Sequence, residues 1–253
     1  LSELNKLAGV GTWGYELSKV KVGILDTGVW LDHPIFKGKR RYIIRRSFVK
    51  ESPDDFVGHG TAITGLILDG TEFIVYHGKV FKRTAKGRIY GIDLYLLDGL
   101  KWLIQANVHV INLSMGVNYE DTDNPVAEMI RYAKRKGITI VTSAGNNGEG
   151  KMYIPARMKE VITVGAIDIR GNVPNWSSRY GHKPDVYAPG VNVKVPALNK
   201  NLYTYMDGTS FSTPLVTKTV AYLISYTGIT KPDLLKRAIR SSSEVVDAYV
   251  KAG

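Results

Sequence analysis

The chain of 253 residues contains no cysteine. That excludes a disulfide framework, a thiolate nucleophile and any cysteine-ligated metal. It leaves the cellular compartment open, since many secreted proteins lack disulfides. No apolar run approaches the roughly 18–20 residues that a membrane helix needs, so no membrane span is expected. Acid is also scarce: 23 Asp and Glu stand against 34 Lys and Arg, a formal net charge of +11. The shortage is local. Lys37, Lys39, Arg40, Arg41, Arg45, Arg46 and Lys50 follow one another with no acid among them, and Lys79, Lys82, Arg83, Lys86 and Arg88 form a second cluster. Such clusters either hold an anionic surface or a polyanion through phosphate contacts or are an ordinary solvated basic face. Neither carries the aromatic stacking platform of single-strand binders. The first residues, LSELNK, show no Met and no signal-like apolar stretch, as in a mature or trimmed chain.

What is present suits one large core. Hydrophobic residues make up 44%, enough for a single domain over residues 1–253. VKVGIL (20–25), the stretch 108–113, ITIVTSAGNNG from 138, and EVITVGAID (160–168) read as strands. HGTAITGLIL (59–68), the stretch from Gly99 to about 107, PVAEMIRYAKRKG (125–137), STPLVTKTVAYLISY (212–226) and KPDLLKRAIRSS (231–242) read as helices. Short strands alternating with helices predict an α/β fold, with a mostly parallel, doubly wound sheet between two helical layers. Residues between about 70 and 92 break the alternation and read as a hairpin excursion or a long basic loop.

In open parallel sheets, ligands sit beyond the carboxyl ends of the strands. Asp26, Ser114 and Asn146 each follow a predicted strand, and His59 opens a helix. Acyl transfer by a serine needs a hydroxyl, a base to take its proton, a carboxylate to orient the base, and donors for the developing oxyanion. Ser210, His59 and Asp26 supply the three side chains in the chain order Asp, His, Ser. Asn146, in a glycine-flanked turn, can aim an amide N–H at the oxyanion. The backbone N–H of Ser210, at a helix start, is a second donor. Taken singly, each residue also has a structural explanation. Asp26 suits an Asx-turn, His59 a turn between glycines, Asn146 a tight turn and Ser210 a helix cap. Their joint occurrence favours catalysis. His33, His77, His109 and His182 lack partners at ligand spacing and read as structural.

The segments VGILDTGVWLDHP, GHGTAITGLI, VINLSMG, SAGNNG, NWSSRYGHKPDVYAPG and GTSFSTPLV, in this order, resemble the signature segments of subtilisin-like serine proteases, over about residues 20–225. The resemblance implies a three-layer α/β/α fold and a serine endopeptidase. Ser210 would be the nucleophile, His59 the general acid/base, Asp26 its orienter and Asn146 the oxyanion-hole side chain. It further implies that Ser114, Met115 and Gly116 pair with the substrate as an added strand. Ser143, Ala144 and Gly145 would form the facing wall of the S1 pocket. The implied partners are protein or peptide substrates and a propeptide inhibitor in a precursor, and the implied form is a secreted monomer. Three departures stand out. Leu215 and Ala62 occupy positions where the family usually has histidine. Ile35 stands where it commonly has a calcium-ligating acid, and no calcium loop is recognisable in LDGTEFIVYHGKV, so no cofactor is assigned. Glu149, soon after Asn146, would favour basic P1 residues if it reached that pocket.

Two other motifs fail. A DTG triplet also opens aspartic-protease loops, but those need two aspartates sharing one site, and this chain has one DTG. The G-x-S-x-G elbow needs glycine where Ser212 stands. The alternative of a different class is a catalytically silent domain of this type that binds an anionic partner through its basic clusters.

Overall fold

A computed structural model of the chain describes residues 19–84, 86–117, 122–148, 150, 152–178, 184–199 and 201–250. In chain order the elements begin with β1 (Lys21–Asp26), β2 (Ile43–Ser47), α1 (His59–Leu68), β3 (Ile74–Lys79), β4 (Lys82–Arg83) and β5 (Ile89–Tyr90). Next come α2 (Asp93–Gln105), β6 (Val110–Leu113), α3 (Pro125–Arg135), β7 (Thr139–Ser143) and β8 (Ile162–Ile167). The chain closes with β9 (Val186–Pro189), β10 (Val193–Pro196), β11 (Tyr203–Met206), α4 (Thr209–Thr227) and α5 (Pro232–Val250).

Seven strands form one sheet in the order β2-β3-β1-β6-β7-β8-β9, and every neighbouring pair is parallel. A parallel sheet must be covered on both faces, and successive strand residues supply both. Ile24, Val110 and Val141 point into a core shared with Ile63 and Ile67 of α1 and Val220 and Ile224 of α4. Their neighbours Leu25, Ile111 and Ile140 point into a second core with Leu100 and Leu103 of α2 and Ile130 of α3. The result is the expected three-layer α/β/α arrangement. The strand order turns around between β1 and β6, so the crevice at their carboxyl ends lies at the switch point of the sheet.

Local chemistry sets the helix ends. Asn124 caps α3 by accepting from the Ala127 N–H at 2.9 Å, with Pro125 in the first turn. Gly228 closes α4 at φ 69°, a left-handed conformation that glycine adopts without strain.

Residues 70–92 are corrected in part. The hairpin is confined to β4 and β5, whereas Ile74–Lys79 is an inner strand between β1 and β2. His77 and Lys79 disguise it, because both are polar residues held fully inside. The first basic cluster likewise contains a strand, the sheet edge β2, where Arg45 and Arg46 are the sort of charge that edges carry. Helix α2 begins at Asp93 rather than near Gly99, and α4 at Thr209 rather than Ser212.

Candidate active site

Asp26 is the last residue of β1, buried at the rim, with its carbonyl accepting from the Val80 N–H at 2.9 Å. His59 is the first residue of α1. Its Nδ1 lies 2.8 Å from Asp26 Oδ1 and 3.0 Å from Oδ2, so Nδ1–H donates to the carboxylate and Nε2 keeps its lone pair. The Asp26 carboxylate also accepts from the Thr27 N–H at 2.7 Å.

The two turns that carry these side chains touch backbone to backbone. A Cβ placed on Gly60 would stand 2.2 Å from the Gly28 carbonyl oxygen, so only glycine fits there. Asp55 then ties both turns together. Its Oδ1 accepts from Thr27 Oγ1 at 3.0 Å and from the Val57 and Gly58 N–H groups at 2.9 Å each. Its Oδ2 accepts from the Thr61 N–H at 2.9 Å and Thr61 Oγ1 at 2.7 Å. Thr27 Oγ1 in turn accepts from the Gly60 N–H at 2.9 Å. One buried carboxylate thus serves orphan donors at the start of α1, the work a helix cap does, and fixes His59 to the Asp26 turn. The loop carrying Asp55 is anchored from outside. Buried Lys79 pairs with Glu51 at 3.1 Å and donates to the Asp54 carbonyl at 2.9 Å, and Arg45 pairs with Asp54 at 2.6 Å.

Electrostatics follow this geometry. Burial pushes the Asp26 carboxyl up, but the charge and hydrogen bond of His59, with His77 and the Thr27 N–H, outweigh it and hold the group below its ordinary value. Burial pushes His59 down, while the Asp26 charge and hydrogen bond and the Asp55 charge lift it above its ordinary value overall. His77, on β3, is fully buried and bonds Thr64 of α1 at 2.9 Å through Nδ1, and its Nε2 has no partner. Burial, opposed by the charges of Asp26 and Asp55, pushes it down to about 4, so it is neutral at neutral pH.

Ser210 opens α4 together with Thr209. Its Oγ donates to the Ser114 carbonyl at 3.3 Å, and the Phe211 ring lies with its centroid 5.7 Å from that of His59. The side chain of Asn146 is anchored by its oxygen. Oδ1 accepts from the Thr209 N–H at 3.0 Å and from Thr209 Oγ1 at 2.9 Å. This leaves Nδ2 as the donor, 3.5 Å from the position of a Cβ on Gly208 just before the helix. The structure therefore brings Asp26 and His59 into direct contact, and Ser210 and Asn146 to the same helix start.

Ser114, Met115 and Gly116 leave β6 beside Ser210, with the Ser114 side chain buried and Gly116 exposed. Ser143 and Ala144 are buried at the end of β7, and the Gly145 N–H reaches Thr209 Oγ1 at 3.2 Å. Tyr153 approaches Gly116, its Cβ 3.2 Å from where a Cβ on that glycine would stand. Glu149 and His182 lie outside the described residues.

His33 and His109 make hydrogen bonds away from these residues. His33 accepts from the Ile35 N–H at 3.1 Å and meets the Leu202 carbonyl at 2.5 Å through its other nitrogen. His109 accepts from the Lys21 N–H at 3.0 Å. The basic clusters are partly spent inside the molecule: Arg40 pairs with Asp32 at 2.7 Å, and Lys39 donates to the Leu68 carbonyl. Ile35 packs against the apolar core, and among the described residues no group of three or more His, Asp or Glu could hold a metal.

The sequence as a whole matches the model of the subtilase family, peptidase family S8, over residues 18–252. The chain belongs to the subtilase family. It is 32% identical over 227 residues to subtilisin-like protease 1 of Pseudogymnoascus destructans, covering 87% of this chain and 55% of that protein. It is 30% identical to subtilisin DY of Bacillus licheniformis over 263 aligned positions, 97% of this chain and 92% of that one. A solved cold-adapted subtilisin-like serine proteinase superposes with a TM-score of 0.76 at 25% identity, over 90% of this chain and 83% of that chain. Against four curated subtilase relatives, the chain spans 52–60% of their length.

Near the site, sequence reasoning missed Asp55, and it read His77 as structural without placing it beside the start of α1. A signal for the first existed: an acid four residues before a helix-opening histidine, where helix N-termini favour negative charge. None existed for the second, because a lone histidine in an apolar run says nothing about what lies behind it.

Proposed function

We propose that this subtilase is a serine endopeptidase that cleaves protein or peptide substrates through an acyl-enzyme at Ser210. The observation that carries the reading is the bidentate Asp26–His59 contact, at the rim where α4 begins with Ser210. His59 Nε2 takes the Ser210 hydroxyl proton as Oγ attacks the scissile carbonyl carbon. Asp26 stabilises the imidazolium that results. The carbonyl oxygen becomes an oxyanion and takes hydrogen bonds from Asn146 Nδ2 and the Ser210 N–H, at a helix start whose dipole favours negative charge. His59 then returns the proton to the leaving amine, and water repeats the sequence to release the acid. In the resting state the Ser210 hydroxyl donates to the Ser114 carbonyl, and it turns from there to His59 Nε2, an alignment that forms when substrate binds.

Substrate is held as an added strand along Ser114, Met115 and Gly116, with the wall of Ser143, Ala144 and Gly145 opposite. The secreted monomer and the propeptide inhibitor belong to the same proposal and rest on the family alone. Hydrolysis of a peptide library checks it: the wild type cleaves, and Ser210→Ala loses on the order of 10⁵–10⁶ in kcat. Full activity in that variant would remove Ser210 from the mechanism.

A further inference from the structure

Helix α4 contains a proline in its first turns, Pro214. In an α-helix the carbonyl of residue i accepts from the N–H of residue i+4, and for Ser210 that residue is Pro214, which has no N–H. The carbonyl of the proposed nucleophile is therefore orphaned by its own helix. Ser114 Oγ–H fills the place from β6, donating to the Ser210 carbonyl at 2.9 Å.

Ser114 has a single hydroxyl proton, and its direction is set by a buried chain. Asn112, fully buried on β6, donates Nδ2–H to Ser114 Oγ at 3.0 Å, so the Ser114 proton is left to point at Ser210. Asn112 is oriented in turn by Thr217 of α4, whose Oγ1 lies 2.9 Å from Asn112 Oδ1 and 3.0 Å from the Thr213 carbonyl. The chain leaves α4 at Thr217, crosses β6 at Asn112 and Ser114, and returns to α4 at Ser210. It closes with the Ser210 hydroxyl on the Ser114 carbonyl.

We infer that Asn112 and Thr217 are positioning residues, which with the Ser114 hydroxyl form a latch that holds the nucleophile's backbone to β6, and that Pro214 creates the need for it. The inference rests on the reading of Ser210 as nucleophile. A buried, fully paired polar network fixes geometry more than it adds affinity, so its loss acts on kcat. The Ser114 backbone, which pairs with substrate, is untouched by side-chain truncation.

The test is a double-mutant cycle on the full chain. Ser114→Ala lowers kcat and the rate of fluorophosphonate labelling about tenfold, the worth of one buried hydrogen bond, with KM changed less than about twofold. In a Pro214→Ala background residue 214 has an N–H for the Ser210 carbonyl, and the same truncation costs less than about threefold. Thr217→Val, at the far end of the chain, lowers kcat severalfold without changing KM. Equal losses in both backgrounds, or an effect on KM in place of kcat, overturn the inference. The melting temperatures of the same four proteins separate the remaining cases. Coupling in Tm with none in kcat makes the latch structural only, which also overturns the positioning role. A wild type that is neither labelled nor active, yet shows the Tm coupling, refutes the nucleophile reading while leaving the hydrogen bond in place.

Discussion

Asp55 shows how far the geometry of the proposed catalytic site depends on a residue outside its triad. Its carboxylate accepts five hydrogen bonds, from Thr27, Val57, Gly58 and both donors of Thr61. It joins the turn after Asp26 to the turn before His59, and its charge helps lift the His59 pKa. Asp55→Asn keeps the shape but turns one oxygen into a donor that faces other donors. We expect kcat/KM to fall about 10–100-fold. The acid limb of the pH–rate profile, which lies above the ordinary histidine value because His59 is raised, should move to lower pH. A variant with the parent's limb would show that Asp55 does not act on His59. Of the candidate site's side chains, Asp26, His59, Asn146 and Ser210 could be picked out in the sequence because each stands near a strand end or helix start beside small residues that tolerate close approach. Asp55 left one signal, its place four residues before His59, and His77 left none, since the importance of both comes from what the fold brings to them.

At the scale of elements, the site depends on how near β1 and α1 can come. Gly60 allows the contact with the Gly28 carbonyl, and His77 Cε1 would lie 3.0 Å from an added Cβ. Gly60→Ala forces a methyl group into backbone and a buried ring. Its expected outcome is a loss of at least tenfold in kcat/KM and a lower Tm, since overpacking of this kind costs about 1–3 kcal/mol or more. Unchanged activity and Tm would contradict the close contact. The alternation of strands and helices was readable where short runs rich in β-branched and other apolar residues mark the strands, as in β6, β7 and β8. It failed at β3, whose buried His77 and Lys79 imitate a surface, and at β2, whose arginines belong to a sheet edge. In both cases polar side chains that bond to tertiary partners hid the strand pattern.

At the scale of the molecule, the site region sets a pH dependence of stability. His77 has its folded pKa pushed down to about 4, below the ordinary 6.5. Between those values the unfolded chain binds the proton that the folded one refuses, so stability falls as pH drops from about 6.5 to about 4. Below that both states are protonated and the slope from this group ends. The shift corresponds to about 3 kcal/mol. His109, also depressed by burial and then by Lys21, adds in the same direction. His59 acts in another window: its raised pKa stabilises at lower pH, and that contribution is lost as pH rises through its folded value. Replacing His77 with glutamine should flatten the decline of Tm between pH 6.5 and 4 without abolishing it; an unchanged slope would contradict the assignment.

In the proposed mechanism Ser210 is reactive only because the folded arrangement around it activates its hydroxyl. Incubation of the native protein with a fluorophosphonate, followed by peptide mass spectrometry, reads this directly. We predict a single adduct on Ser210, absent after unfolding and strongly slowed in His59→Ala. Folded protein that carries no adduct on Ser210 would contradict the account.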